Sequence, residues 1–122
     1  MPEVPLISIV DDDASLRNSL DNLIRSAGLR VQLFSSAEAF LASSQARNTA
    51  CLIVDVQMPG MNGLDLQHKI VSSNWHIPII FITSHQDTGL RMRAIEAGAV
   101  SFLYKPFREE ELLQAINAAV LL

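Results

Sequence analysis

Four times along the chain an apolar run stops on a polar residue. Leu6-Ile7-Ser8-Ile9-Val10 runs into Asp11-Asp12-Asp13, Cys51-Leu52-Ile53-Val54 into Asp55, Ile79-Ile80-Phe81-Ile82 into Thr83, and Phe102-Leu103-Tyr104 into Lys105. Nearly unbroken runs of this length predict strands buried on both faces, the pattern of a parallel sheet between two helical layers. Leu29 to Phe34 predicts a further strand. Between the runs the spacing of apolar residues changes to that of helices. Leu16, Leu20, Leu23, Ile24 and Ala27 mark a helix over 14–27, with Gly28 placed for a left-handed cap. Ser35 and Glu38 have capping-box spacing before Ala39, Phe40 and Leu41, which predicts a short second helix. A turn-rich loop, Met58 to Gly63, leads to a third helix over 64–73 with Leu64, Ile70 and Val71 as its buried stripe. Leu90, Ala94, Ile95 and Ala97 mark a fourth, closed by Gly98. The fifth follows Pro106 and starts at Glu109-Glu110-Glu111, whose charges favour a helix N-terminus. Its expected buried side is Leu112, Leu113, Ile116, Ala119 and Val120.

Five strand–helix units in succession predict an α/β fold: a flavodoxin-like, doubly wound, five-stranded parallel sheet in the order 2-1-3-4-5, with helices on both faces. In such sheets the ligand site lies beyond the carboxyl ends of the strands, where the order reverses between the first and third. Those two strands end on Asp11-Asp12 and on Asp55. The 122 residues suit one domain, 1–122, with no need of a disulfide or a metal to fold. The single cysteine, Cys51, heads an apolar run and is expected to be a small buried hydrophobe in a reducing compartment. A net charge of −4 and scattered basic residues argue against direct nucleic-acid binding. No apolar stretch reaches the roughly 18 residues of a membrane span, and Met1-Pro2-Glu3 lacks the basic start of a secretory signal. A cytoplasmic protein without membrane contact is the expectation.

Carboxylates that end adjacent strands come within a few ångströms of one another. At about 4 Å and an effective dielectric near 20, two such charges repel by about 4 kcal/mol. Either one acid keeps its proton or a cation joins them, and hard carboxylate oxygens favour Mg²⁺. With a metal present, an ionised Asp55 can attack a phosphoryl group while Thr83 and Lys105 help to share the charge on its oxygens. Lys105 stands two strands from Asp55, roughly 10 Å across the sheet, a gap that its four-carbon stem largely closes. Taken singly, each residue also has a structural role open to it. A threonine or lysine at a strand end is commonly solvated surface, and Asp13 suits a helix cap. The combination of four strand ends is what points to phosphate chemistry.

Val10-Asp11-Asp12-Asp13, Val54-Asp55-Val56-Gln57-Met58-Pro59-Gly60-Met61-Asn62-Gly63, Ile82-Thr83-Ser84 and Tyr104-Lys105-Pro106-Phe107 together resemble the receiver domain of two-component response regulators, over essentially the whole chain. The resemblance implies that Asp55 accepts a phosphoryl group from a phosphohistidine of a sensor histidine kinase. It implies that Asp12, Asp55 and the backbone carbonyl of Gln57 bind Mg²⁺, with Asp11 acting directly or through water. Thr83 and Lys105 then bind the phosphoryl group, and a cis Lys105–Pro106 peptide is expected. Thr83 and Phe102 match the family's switch positions. Their movement is expected to reshape the surface of the fourth helix, fifth strand and fifth helix, for a phosphorylation-dependent homodimer or an output contact. The other reading of Phe102 and Tyr104 is that both pack under the fourth helix.

Gln57 and His85-Gln86 depart from the commonest pattern at sites that influence the lifetime of the acyl phosphate. His68, His76 and His85 lack metal-ligand spacing and are expected to be solvated, and Trp75 to be a packing residue. The surroundings of Gly98-Ala99-Val100 and Lys105-Pro106-Phe107 resemble receivers that precede a LuxR-type DNA-binding domain. Such an output domain is therefore expected outside these 122 residues, with a stand-alone receiver as the alternative. Turnover of an external substrate is not expected. A rival reading takes Asp11-x-Asp13 as the D-x-D motif of haloacid-dehalogenase-like phosphatases, with Asp11 as nucleophile, Asp13 as acid and Thr83 and Lys105 as later motifs. Its further acidic pair would have to come from Glu109, Glu110 and Glu111, which already suit a helix start.

Overall fold

The computed structural model describes residues 4–121; Met1-Pro2-Glu3, on which the expectation about a secretory signal rests, lie outside them. The elements follow the predicted alternation: β1 (Leu6–Val10), α1 (Ala14–Ser26), β2 (Arg30–Phe34), α2 (Ala37–Ala42), β3 (Cys51–Asp55), α3 (Gly63–Ser72), β4 (Ile79–Thr83), α4 (Thr88–Glu96), β5 (Ser101–Tyr104) and α5 (Glu109–Val120). The five strands pair in parallel in the order β2-β1-β3-β4-β5. Successive side chains point to opposite faces, so each run feeds two cores. On one side Ile7, Ile9, Ile53, Ile80 and Ile82 pack against Leu20 and Ile24 of α1 and Leu112 and Ile116 of α5. On the other, Val10, Leu52, Val54, Phe81 and Phe102 pack against Phe40 of α2, Leu66 and Ile70 of α3 and Ala94 of α4. Burying a Leu, Ile or Phe contributes about 1.5–3 kcal/mol, which is why both faces must be covered for the sheet to persist. None of the described helices is long and apolar enough to cross a membrane.

Three local readings change, in α2, α3 and α5, while α4 forms where its spacing predicts. Ser36, not Ser35, caps α2: it is extended (φ −154°) and its Oγ accepts from Ala39 N–H at 3.0 Å. Glu38 is consequently free of the cap and accepts from Met61 N–H at 3.3 Å, tying α2 to the β3–α3 loop. The buried stripe of α3 is Gly63, Leu66, Gln67 and Ile70, whereas Val71 is 55% exposed. Val71 lies about 80° round the helix from Gly63, and Gly63 is the residue seated against the sheet. In α4 only Ala94 is buried, and Ile95 and Ala97 are exposed. In α5 the buried residues are Leu112, Ile116 and Ala119, with Leu113 and Val120 half-buried.

A short 3-10 turn, Ala46–Asn48, precedes β3 and has no periodic signal in the sequence. Trp75 stacks on Phe40, with centroids 5.6 Å apart and planes 7° off parallel, and the Arg47 guanidinium lies 4.6 Å over its ring. It is thus a packing residue. Cys51 is fully buried, and burial pushes its thiol up to about 12.

Candidate functional site

At the carboxyl end of β1 the Asp11 side chain is fully buried. Its position is set from three directions. Asp11 N–H donates to Phe34 O at 3.1 Å, its Oδ1 accepts from Asp13 N–H at 2.9 Å, and its carbonyl accepts from Arg17 Nη1 at 2.7 Å. Asp12 is exposed. Asp13 is the N-cap of α1, with Oδ1 accepting from Ser15 N–H at 2.9 Å and Leu16 N–H at 3.2 Å. At the end of β3, Asp55 is buried, and its Oδ1 accepts from Gln57 N–H at 2.9 Å. The Gln57 side chain is exposed and lines an open cleft with Met58, Asn62, Leu90 and Arg93.

Asp11, Asp12 and Asp55 each offer an oxygen within 4.8 Å of the others, the one such group of three among the described His, Cys, Asp and Glu residues. His68, His76 and His85 are exposed and stand outside it. From β5, Lys105 Nζ reaches across the sheet to Asp11 Oδ2 at 3.2 Å and Asp55 Oδ2 at 2.9 Å. The Lys105–Pro106 peptide is cis. Burial pushes the Asp11 carboxyl above its usual range, the Asp13 N–H and the Lys105 charge pull it back, and the Asp55 charge raises it again. Burial also pulls the Lys105 ammonium down. Its hydrogen bonds and charge contacts with Asp55 and Asp11 outweigh that, so its pKa lies above the ordinary lysine value. Three carboxylates thus face one ammonium, and an all-oxygen acidic cluster with residual negative charge is a donor set that could hold a hard divalent cation.

Thr83 ends β4 one residue beyond the Asp55↔Ile82 pairing and is 1% exposed. Its Oγ1 accepts from His85 N–H at 3.1 Å, and its carbonyl accepts from Lys105 N–H at 2.7 Å. Phe102 is buried, with its ring centroid 5.9 Å from Phe81 and 5.4 Å from Tyr104. In this state both β5 aromatics pack rather than lie open, since Tyr104 is half-buried against the same cluster.

Gly63 is a positional requirement that the apolar pattern does not reveal. A Cβ there would lie 2.5 Å from Asp55 O and 3.1 Å from Val56 Cα, and Gly63 N–H donates to Val56 O at 2.9 Å. The first turn of α3 is therefore pressed onto the end of β3. Gly63→Ala has to displace backbone and is expected to cost about 1–3 kcal/mol, read as a lower urea midpoint with unchanged m-value. Arg17, a basic residue one turn into the helix that follows the acidic loop, is likewise a position that apolar spacing does not mark.

A model of the response regulator receiver domain matches residues 7–117. The chain belongs to the response regulator receiver family. This receiver is 51% identical to nodulation protein W of Bradyrhizobium diazoefficiens over 114 residues, 93% of this chain and 50% of that protein. It is 51% identical to response regulator protein TmoT of Ectopseudomonas mendocina over 115 residues, 94% of this chain and 52% of that protein. The crystal structure of FixJ-N superposes with a TM-score of 0.88 at 37% identity, covering 99% of this chain and 96% of that one. The chain spans about half the length of the curated relatives it matches. Family membership, with the Asp13 carboxylate engaged as a helix cap, goes against the phosphatase reading.

Proposed function

We propose that Asp55 is the phosphoacceptor of this receiver and that phosphorylation is read out on the face formed by α4, β5 and α5. What carries this reading is the Lys105 ammonium, which bridges Asp11 and Asp55 and so joins the ends of β1, β3 and β5 into one charged site. An Asp55 oxygen attacks the phosphorus of a phosphohistidine on a sensor histidine kinase. The P–O bond forms as the P–N bond breaks, and the departing imidazole nitrogen takes up a proton. Lys105 follows the new negative charge from carboxylate to phosphoryl oxygen. Thr83, whose Oγ1 already accepts from His85 N–H, keeps its hydroxyl proton for donation to another phosphoryl oxygen. Asp11, Asp12, Asp55 and the Gln57 carbonyl would hold Mg²⁺, and the oxygen-only cluster fits it. Bound there, the ion offsets the repulsion between a carboxylate nucleophile and an anionic donor.

Phe102 lies diagonally behind Thr83 on the neighbouring strand, because Phe81↔Phe102 and Thr83↔Tyr104 are register pairs. As Thr83 moves toward the phosphoryl group, Phe102 adjusts in the space behind it, and α4 with it. The altered face serves a homodimer or an output domain of LuxR type that controls transcription, in a cytoplasmic protein that turns over no external substrate. Amide NMR with Mg²⁺ and beryllofluoride as phosphoryl mimic tests this reading. Shifts are expected to run from Asp55 through Thr83 and Phe102 to α4, and Thr83→Ala to remove the α4 shifts while keeping those at Asp55. Shifts confined to residues 55–57 in the wild type would contradict the switch.

A further inference from the structure

Apolar packing does little to hold α4. Only Ala94 is buried, Leu90 is half-buried, and Met92 and Ile95 are 55% and 43% exposed. Against this helix α3 presents Gln67, a polar side chain just 3% exposed on the face that otherwise buries Leu66 and Ile70. Its Nε2 donates to the Ala94 carbonyl at 3.0 Å. The same carbonyl accepts from Ala99 N–H at 3.0 Å, while Gly98, at φ +107°, donates its N–H to Ile95 O at 3.0 Å. Those two bonds form a Schellman cap. Gln67 therefore grips α4 in its last turn, at the carbonyl that also caps the helix before the chain turns into β5.

The other end of this connection is the phosphorylation site. Gln67 lies one turn after Gly63 on the same helix face, and Gly63 is the residue pressed against Asp55 O and bonded to Val56 O. α3 is thus a strut running from the Asp55 loop to the cap of α4. A leucine of similar size could fill the Gln67 site without desolvating an amide, so packing alone gives no reason for glutamine there. A hydrogen bond differs from apolar contact in being directional: it weakens steeply within an ångström of displacement, whereas apolar surfaces slide. It selects one position of α4.

We propose that Gln67 is a positioning residue, a latch that holds α4 in its unphosphorylated orientation and disengages when Asp55 is phosphorylated. The inference rests on phosphorylation at Asp55. A bond made in one of two states biases the equilibrium toward that state, so removing it populates the other and makes phosphorylation easier. The test uses the 122-residue chain with Gln67→Leu and, as an unbranched second variant, Gln67→Met. Two quantities are read: amide hydrogen exchange in every helix, and the rate at which acetyl phosphate with Mg²⁺ labels Asp55. Both variants are expected to speed exchange at Ala97, Gly98 and Ala99 by about tenfold or more with α1 and α5 unchanged, and to raise the labelling rate about threefold. Equal acceleration of exchange in all helices would show a general contribution to folding and overturn the latch. So would local loosening of α4 with a labelling rate unchanged or lowered. A wild type that takes no label at Asp55 would instead defeat the phosphorylation reading on which the latch depends. The exchange measurement needs no phosphodonor and keeps the two failures apart.

Discussion

Lys105→Met lowers the stability of the metal-free protein by about 2–3 kcal/mol at neutral pH. The figure sits below the 3–5 kcal/mol typical of breaking a fully buried pair, because Lys105 is 22% exposed. Methionine keeps most of the stem packing and removes the ammonium that bridges Asp11 Oδ2 and Asp55 Oδ2. The sign follows from linkage. Lys105 has a folded pKa above its unfolded one, so its contribution is fully present below the ordinary lysine value and is lost as pH rises through the folded value. Wild type therefore loses stability in the strongly alkaline range, and the methionine variant lacks that component of the loss. Asp11 is also raised in the fold, chiefly by burial, so its contribution favours the fold below its unfolded pKa and disappears as pH rises through the folded value. With Lys105 gone, the Asp11 pKa rises further, and the deficit of the variant shrinks as pH falls through the acid range. Urea denaturation of both proteins from acid to alkaline pH checks these signs, and millimolar Mg²⁺ is expected to restore more stability to the variant than to wild type. A deficit that does not vary with pH would assign the effect to lost packing.

Asp55→Asn is expected to keep the fold and to lower the rate of phosphoryl acceptance by at least about 10³-fold, more than about 4 kcal/mol in the barrier. The asparagine oxygen can still accept from Gln57 N–H, and one negative charge leaves a cluster of three carboxylates, so the thermal midpoint should hold or rise. The amide cannot act as the nucleophile. Comparing labelling by acetyl phosphate with thermal melts separates this loss of chemistry from any loss of structure. Residual labelling at the wild-type rate would place the nucleophile elsewhere.

The sheet order and the two-sided burial of the strands were legible in the sequence because each strand is a nearly pure apolar run, and strand ends are where such a run meets its polar stop. The cluster of Asp11, Asp12 and Asp55 followed from the same pattern, since parallel strands in the order 2-1-3-4-5 bring the first and third ends together. Less was legible where tertiary contact overrides periodicity. Val71 looks like part of a buried stripe, yet the approach of Gly63 to Asp55 rotates α3 until Gln67 faces inward instead. Ile95 and Ala97 have helical spacing, yet α4 is fixed by an amide donated from a helix 27 residues earlier, a contact that no local rule contains. Ser35 and Ser36 are chemically equivalent candidates, and only the backbone decides that Ser36 is the cap.

The most direct measurement is the site and stoichiometry of labelling. The 122-residue protein is incubated with acetyl phosphate in Mg²⁺ or in excess chelator, then digested and mapped by mass spectrometry before the acyl phosphate hydrolyses. A single hydroxylamine-labile phosphoryl group per chain is expected, on Asp55, formed with Mg²⁺ and absent with chelator. A label on Asp11, or an Asp55 label formed equally well in chelator, would contradict Asp55 as the Mg²⁺-dependent phosphoacceptor.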